Sequence, residues 1–309
     1  MTLDRRDFLK LAATGSATLL AAPAAASDGH APARAADAFG VLVDTTFCIG
    51  CRKCELGCNE VNSQLARRGR TEFEDKSVFT QHRRPDAETF TVVNRLAAPN
   101  PLGGEAPLYL KVQCLHCEHP ACASACIVGA LRKDPRGPVT YDAWKCIGCR
   151  YCMVACPFQV PAYEYADAAS PEVRKCSFCA ERILSEGRRP GCVENCPNEA
   201  LTFGRRDELV ALAHQKIARS PERYVNHVYG EHEAGGTSWL YLSAIDFRQT
   251  ELPALDDRPL PALTEKIQHG VFKAFVPPLA LYGLLGLVMW SRRRSDEDAG
   301  DGGGPAREE

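Results

Sequence analysis

Cys146-Ile-Gly-Cys149-Arg-Tyr-Cys152-Met-Val-Ala-Cys156-Pro157 decides how the rest of the chain is read. Its spacing, C-x2-C-x2-C-x3-C-P, is that of a loop built around an iron–sulfur cube, with the fourth cysteine serving a neighbouring cluster. Three thiolates on a tight loop grip one face of a cube. The fourth is expected to start a helix that points elsewhere, with Pro157 in its first turn. A thiolate given to a neighbour must be matched by one received, so one such run implies a second.

The sequence supplies three more. All sixteen cysteines fall into four-membered groups: Cys48, Cys51, Cys54, Cys58; Cys114, Cys117, Cys122, Cys126; Cys146, Cys149, Cys152, Cys156; and Cys176, Cys179, Cys192, Cys196. Disulfide frameworks rarely show C-x2-C-x2-C. Zinc sites of four cysteines use two well-separated C-x2-4-C pairs, which these runs fit poorly. Charge is nearly balanced, 37 basic against 39 acidic residues, so nothing suggests a nucleic-acid surface. No nucleophile–base arrangement, phosphate loop or dinucleotide fingerprint occurs. The chain reads as a carrier of metal clusters and not as a free-standing enzyme.

The groups repeat with their surroundings. Gly40 to Asp44 reads as a strand with Val41 and Val43 on one face, and Asp44 stands four residues before Cys48. Val139-Thr-Tyr-Asp142 stands in the same relation to Cys146, and both continue Cys-Ile-Gly-Cys. Cys126 leads to Ala130-Leu131 and Cys196 to Ala200-Leu201, two returning strands. The fold class is therefore α+β: two nested ferredoxin-like modules, each made of two groups that exchange their last cysteine. The second and third groups are close enough to pair, leaving the first and fourth to pair around them. Four ligand sets follow as an expectation: Cys48, Cys51, Cys54 with Cys196; Cys176, Cys179, Cys192 with Cys58; Cys114, Cys117, Cys122 with Cys156; and Cys146, Cys149, Cys152 with Cys126. Each set would hold one [4Fe-4S] cluster.

Outside the cysteines, Arg5-Arg6 followed by Leu11 to Leu20 and Ala24-Ala25-Ala26 predicts a twin-arginine signal peptide over 1–26. That export route carries proteins already folded, which suits thiolates sequestered by iron. Residues 27–39 read as a flexible linker and 40–204 as the four-cluster domain, with a polar insertion at 61–107 that contains a possible strand from Thr89 to Leu96. In 205–269, Asp207 is expected to cap a helix running to about Ser220, with Leu209, Leu212, Ala213 and Ile217 as its apolar stripe. Ser238 to Ala244 reads as a strand, and Pro253, Pro259 and Pro261 imply an extended path. Residues 270–291 are expected to span a membrane once, and Arg292-Arg293-Arg294 put the disordered 292–309 tail in the cytoplasm. The cluster domain then lies on the periplasmic side of the bacterial inner membrane.

Some residues near the cysteines carry two readings. His116 and His119 could be ligands, but complete quartets favour packing or hydrogen bonding. Lys53, Lys111, Lys145, Arg150, Arg174 and Lys175 could offset cluster charge or be ordinary surface. Trp144 and Tyr151 could relay electrons, but are expected instead to cover a cluster as core.

The order and spacing of the motifs resemble the DMSO-reductase-type four-cluster iron–sulfur subunits, and within that group the hydrogenase-2 type. The residues carrying this are Arg5-Arg6, the Cys146 to Pro157 run, Pro190-Gly-Cys192-Val-Glu-Asn-Cys196-Pro197, Gly235-Gly236-Thr237, Leu255-Asp-Asp257 and Ile267-Gln268-His269. The beta subunit of formate dehydrogenase is similar. The resemblance implies electron transfer, with a periplasmic catalytic subunit of a [NiFe]-hydrogenase, or a molybdopterin subunit, on one side and a multi-span quinone-reactive protein on the other.

Overall fold

The computed structural model describes residues 33–99, 105–262, 264–265 and 281–290. The signal peptide, most of the expected span and the tail lie outside them.

Strand β1 (Phe39–Asp44) is the centre of the molecule. It pairs antiparallel with β8 (Leu201–Arg205), Val43 opposite Leu201, and parallel with β9 (Trp239–Leu242), Val41 opposite Trp239. Successive side chains of a strand face opposite ways. Val41, Val43, Leu201, Trp239 and Tyr241 therefore join the core that also contains cysteines of all four groups or their packed neighbours. Leu42, Leu240 and Leu242 face the other way, onto helix α7 (Arg206–Arg219), whose Leu209, Ala213 and Ile217 meet them. The predicted stripe is thus the buried face. Burying each Leu or Ile here stabilises by about 1.5–3 kcal/mol. Asp207 stands inside the first turn, two residues past the N-cap position expected for it, and makes no capping hydrogen bond; Arg205 is the N-cap. Its carboxylate pairs with Arg34 at 2.9 Å instead.

The second module repeats this scheme in miniature. β4 (Leu131–Lys133) pairs antiparallel with β5 (Val139–Tyr141). The repeat holds down to single hydrogen bonds: Asp44 N–H donates to Ala200 O and Asp142 N–H to Ala130 O, both at 2.8 Å. The strand before one cysteine loop is therefore tied to the strand after its partner loop, in both modules.

The insertion becomes α2 (Arg70–Glu74), a 3-10 turn, and a hairpin of β2 (Thr91–Pro99) on β3 (Glu105–Gln113). It lies over the first cysteine loop. Lys76 Nζ donates to Gly50 O at 2.8 Å, and Tyr109 packs on Gly50. The last residues of the expected linker are fixed: Ala35 N–H donates to Pro135 O at 3.0 Å and Ala38 is buried. Hydrogen bonds to the β4–β5 turn thus tie this end of the expected linker to the fold. From Pro253 to Leu260 the chain forms neither helix nor strand, and Tyr229 Oη donates to Pro253 O at 2.7 Å; Pro261 already lies in a helical stretch, so the expected extended path stops before it. No helix among the described residues is long and apolar enough to cross a membrane. Of the expected span only 281–290 is described, and it is helical.

Candidate metal centres

The first and third cysteine loops use the same local device. Gly50 and Gly148 adopt φ of 65° and 69°, and a Cβ there would lie 2.3 Å from the Tyr109 ring and 2.7 Å from Tyr163 Oη. Only glycine serves at such a position. Arg52 and Arg150 follow in the left-handed region, and helices α1 (Lys53–Val61) and α4 (Tyr151–Ala155) begin directly after them. These helices precede the fourth cysteine and do not start at it: Cys58 is within α1 and Cys156 is the C-cap of α4. The expectation of a helix after Cys156 is thereby corrected. The left-handed arginine turns the chain into a helix before the third cysteine. Third and fourth cysteines then lie one turn apart, about 6 Å along the axis, enough to serve two neighbouring sites. The partner loops contribute α3 (Ala121–Ser124) and α6 (Gly191–Glu194), with Cys126 and Cys196 just beyond them; α5 (Ala180–Leu184) follows Cys179.

The sulfurs gather across the loops. Cys48, Cys51, Cys54 and Cys196 line one cavity, and Cys58, Cys176, Cys179 and Cys192 line the next. Around Cys117 the neighbouring sulfurs that act on its thiol are those of Cys156, Cys114 and Cys122, with Lys133 opposing them. Around Cys152 they are those of Cys126, Cys146 and Cys149. These groupings have the same membership as the four crossed sets. They also form a row. Cys54 feels Cys192, Cys176 feels Cys114, and Cys122 feels Cys152. The first set thus neighbours the second, the second neighbours the third, and the third neighbours the last.

The donor chemistry suits a cationic inorganic group. None of the sixteen cysteines is joined to another. Burial pushes the thiols of Cys48, Cys152, Cys156 and Cys179 up to about 11, and that of Cys176 up to about 12. Thiolates so placed need a strong positive partner to exist at neutral pH. Four sulfurs on one zinc ion, at about 2.3 Å each, would sit within about 4 Å of one another. Among the described residues no three His, Cys, Asp or Glu converge that closely on a point, whereas two quartets enclose a cavity. Backbone N–H groups reach some sulfurs, Ala130 to Cys126 at 3.1 Å and Gly148 to Cys146 at 3.4 Å.

Comparison with known proteins agrees. The 4Fe-4S dicluster domain family matches residues 106–206, taking in the second, third and fourth cysteine groups. A protein of Nitratidesulfovibrio vulgaris Hildenborough is 54% identical over 252 residues, 80% of this chain; the chain spans 66% of that relative's length. The hydrogenase-2 operon protein HybA of Escherichia coli O157:H7 is 35% identical over 330 residues, 97% of this chain and 98% of that one. The chain belongs to the HybA family. The nitrate-inducible formate dehydrogenase iron–sulfur subunit of Escherichia coli K12 is also similar, 33% identical over 78% of the chain and 77% of its own length.

In this HybA-family chain the residues beside the cysteines separate cleanly. His116 is fully buried; its Nδ1 accepts a hydrogen bond from Val139 N–H at 2.8 Å, and its ring stacks on Phe178 at 5.0 Å. Burial, then Lys175, Lys133 and Lys111, hold it well below its usual pKa, so it stays neutral. It packs, as expected, and His119 is exposed. Lys53, Lys145 and Arg150 are exposed, whereas Lys111 and Lys175 are buried. Trp144 and Tyr151 are 97% and 54% exposed. They do not cover a cluster: the turn at Ala143–Lys145 and the first residue of α4 point outward from the loop. Sequence reasoning missed Gln113, Trp239 and Tyr241, which wrap Lys111. The signal was Lys-x-Gln within an otherwise apolar strand.

Proposed function

We propose that this chain is a non-catalytic electron-transfer subunit that holds four [4Fe-4S] clusters in a row. It would sit on the periplasmic side of the inner membrane, between the catalytic subunit of a [NiFe]-hydrogenase and a quinone-reactive membrane subunit. The carrying observation is the neighbour order of the quartets, from Cys48, Cys51, Cys54, Cys196 through Cys58, Cys176, Cys179, Cys192 and Cys114, Cys117, Cys122, Cys156 to Cys126, Cys146, Cys149, Cys152. The clusters, when bound, supply one-electron chemistry. The chain's part is to hold them, exclude water and open a path at each end. The two middle quartets are the more enclosed, with Cys58, Cys114, Cys122 and Cys192 buried and Cys117, Cys156, Cys176 and Cys179 half-buried. Both terminal quartets reach the surface beside exposed apolar side chains. These are Ile49 and Phe47 at one end, and Ile147, Val154 and Trp144 at the other, where Cys149 is itself exposed. Ile49 and Ile147 occupy the same place in the repeat. A row with two apolar, surface-reaching ends suits two partner proteins.

A molybdopterin oxidoreductase such as formate dehydrogenase could receive the same row. The similarity to formate dehydrogenase subunits supports that second reading. Purification from detergent-solubilised membranes tests both. We expect a brown complex with about sixteen irons and about sixteen acid-labile sulfides per chain. Nickel in the complex supports the hydrogenase partner, and molybdenum the alternative. A colourless, iron-free chain would falsify both.

A further inference from the structure

Lys111 alone among the described residues lines both outer cavities. β3 carries it to 2% exposure, between Cys48, Cys51, Cys54, Cys196 on one side and Cys58, Cys176, Cys179, Cys192 on the other. Its ammonium donates to Gln113 Oε1 at 2.8 Å. Gln113 Nε2 donates to Tyr241 Oη at 2.6 Å, and Tyr241 Oη donates to the Lys111 carbonyl at 3.0 Å. The Trp239 ring centroid lies 4.4 Å from Nζ. Gln113, Trp239 and Tyr241 are fully buried, so the ring of contacts is rigid and dry. It is also neutral. No carboxylate forms an ion pair with Lys111 among the described residues, in contrast to buried Lys133, which has Glu118 at 3.4 Å. The anionic groups acting on Lys111 are the sulfurs of Cys192, Cys54, Cys176 and Cys58.

A buried ammonium without a carboxylate is strongly unfavourable unless another anion answers it. An ammonium has three N–H donors, and the described residues engage one. A thiolate-ligated cluster is the anion on either side, and its negative charge grows by one on reduction. The far terminal quartet differs: the basic groups beside it, Lys145 and Arg150, are exposed and solvated.

We propose that Lys111 is a fixed internal cation shared by the two outer cluster sites, raising the reduction potential of both by stabilising the added electron. The inference rests on the four-cluster reading. Lys111 is a positioning and tuning residue, not a ligand. Gln113, held by Tyr241, keeps its charge midway between the two sites, so the two potentials move together. The far terminal site, without such a charge, lies lower than the outer pair.

The test is a redox titration of the full chain in detergent, reduced stepwise with dithionite and followed by electron paramagnetic resonance. Each step adds one electron and moves no proton. Iron and sulfide content of the unaltered chain is measured first; its absence would end the four-cluster reading and leave nothing to tune. With clusters present, Lys111→Met is expected to lower two of the four midpoints by at least a tenfold change in the reduced-to-oxidised ratio, 59 mV for one electron. The other two midpoints should stay. Lys111→Arg, which keeps the charge, should recover most of the shift, and exposed Lys53→Met should move nothing. Unchanged midpoints in Lys111→Met, or an equal shift in all four, overturn the proposal. If Lys111→Met fails to retain iron, Gln113→Leu, which frees the ammonium from its tether, takes its place. A shift confined to two midpoints supports the proposal there, and no shift overturns it.

Discussion

Glu55 shows how single residues hold the first loop. It is 2% exposed, yet its carboxylate accepts from Arg52 Nη2 at 2.8 Å, Arg83 Nη2 at 2.6 Å and Val93 N–H at 2.8 Å. It thereby fastens α1 to the β2–β3 hairpin. Glu55→Ala leaves two guanidiniums and an amide without their acceptor, so the fold should lose about 3–5 kcal/mol, read by anaerobic thermal or denaturant unfolding. Burial opposes ionisation of Glu55, but the hydrogen bonds and charges of Arg83 and Arg52 outweigh it and its pKa is lowered from 4.5. The ionised carboxylate therefore stabilises the fold throughout the range above 4.5. That contribution falls away only as pH drops through the lowered folded value. A mild acid titration should leave stability against unfolding unchanged down to about pH 5 and lower it below that. At this scale the grouping of the cysteines was legible, because spacing alone exposes it. Glu55, Lys111 and Gln113 were not: their meaning depends on contacts 20 to 130 residues away, and burial of a charge is invisible in a chain of letters. Trp144 was misread for a related reason. A large aromatic beside a motif invites a covering role, but the turn that carries it faces solvent.

Among the elements, the crossing of α1 and α6 is the tightest. A Cβ on Gly57 would lie 2.4 Å from Gly191 O, and one on Gly191 would lie 2.5 Å from Gly57 O. Two backbones thus touch where Cys54 and Cys58 meet Cys192. In the inner module the matching residues are Ala155 and Ala121. Gly57→Ala forces the helices apart at a place where the sulfur positions depend on them. We expect a loss of about 1–3 kcal/mol and reduced iron retention, read by anaerobic unfolding and metal analysis, while Ala155→Gly is tolerated with a smaller effect. The strands flanking the motifs were readable because their alternation and their place in the repeat agreed. The start of the helices was not. It is set by Arg52 and Arg150 in a left-handed conformation, a preference no periodicity records.

For the molecule as a whole, the exposed rim at Trp144, Ile147 and Val154 is the end of the row most open to a partner. Val154→Glu, on the outward side of α4, should leave iron content and unfolding within error. It should sharply reduce recovery of the partner in co-purification. If the full complex is still recovered, contact at that end is excluded. The nested order of the strands has a consequence for biogenesis. In the proposed ligand sets the site built on Cys48 takes Cys196, and the sheet behind it needs β9, which ends at Leu242. The inner site draws its ligands from Cys114 to Cys156 and its strands from a short hairpin. Closing a long loop is slower than closing a short one. The ribosome delivers everything the inner pair requires while the outer pair still lacks its last thiolates. On the proposed ligand sets, maturation is expected to proceed from the middle of the polypeptide outward, so that the segment synthesised earliest is the one finished last.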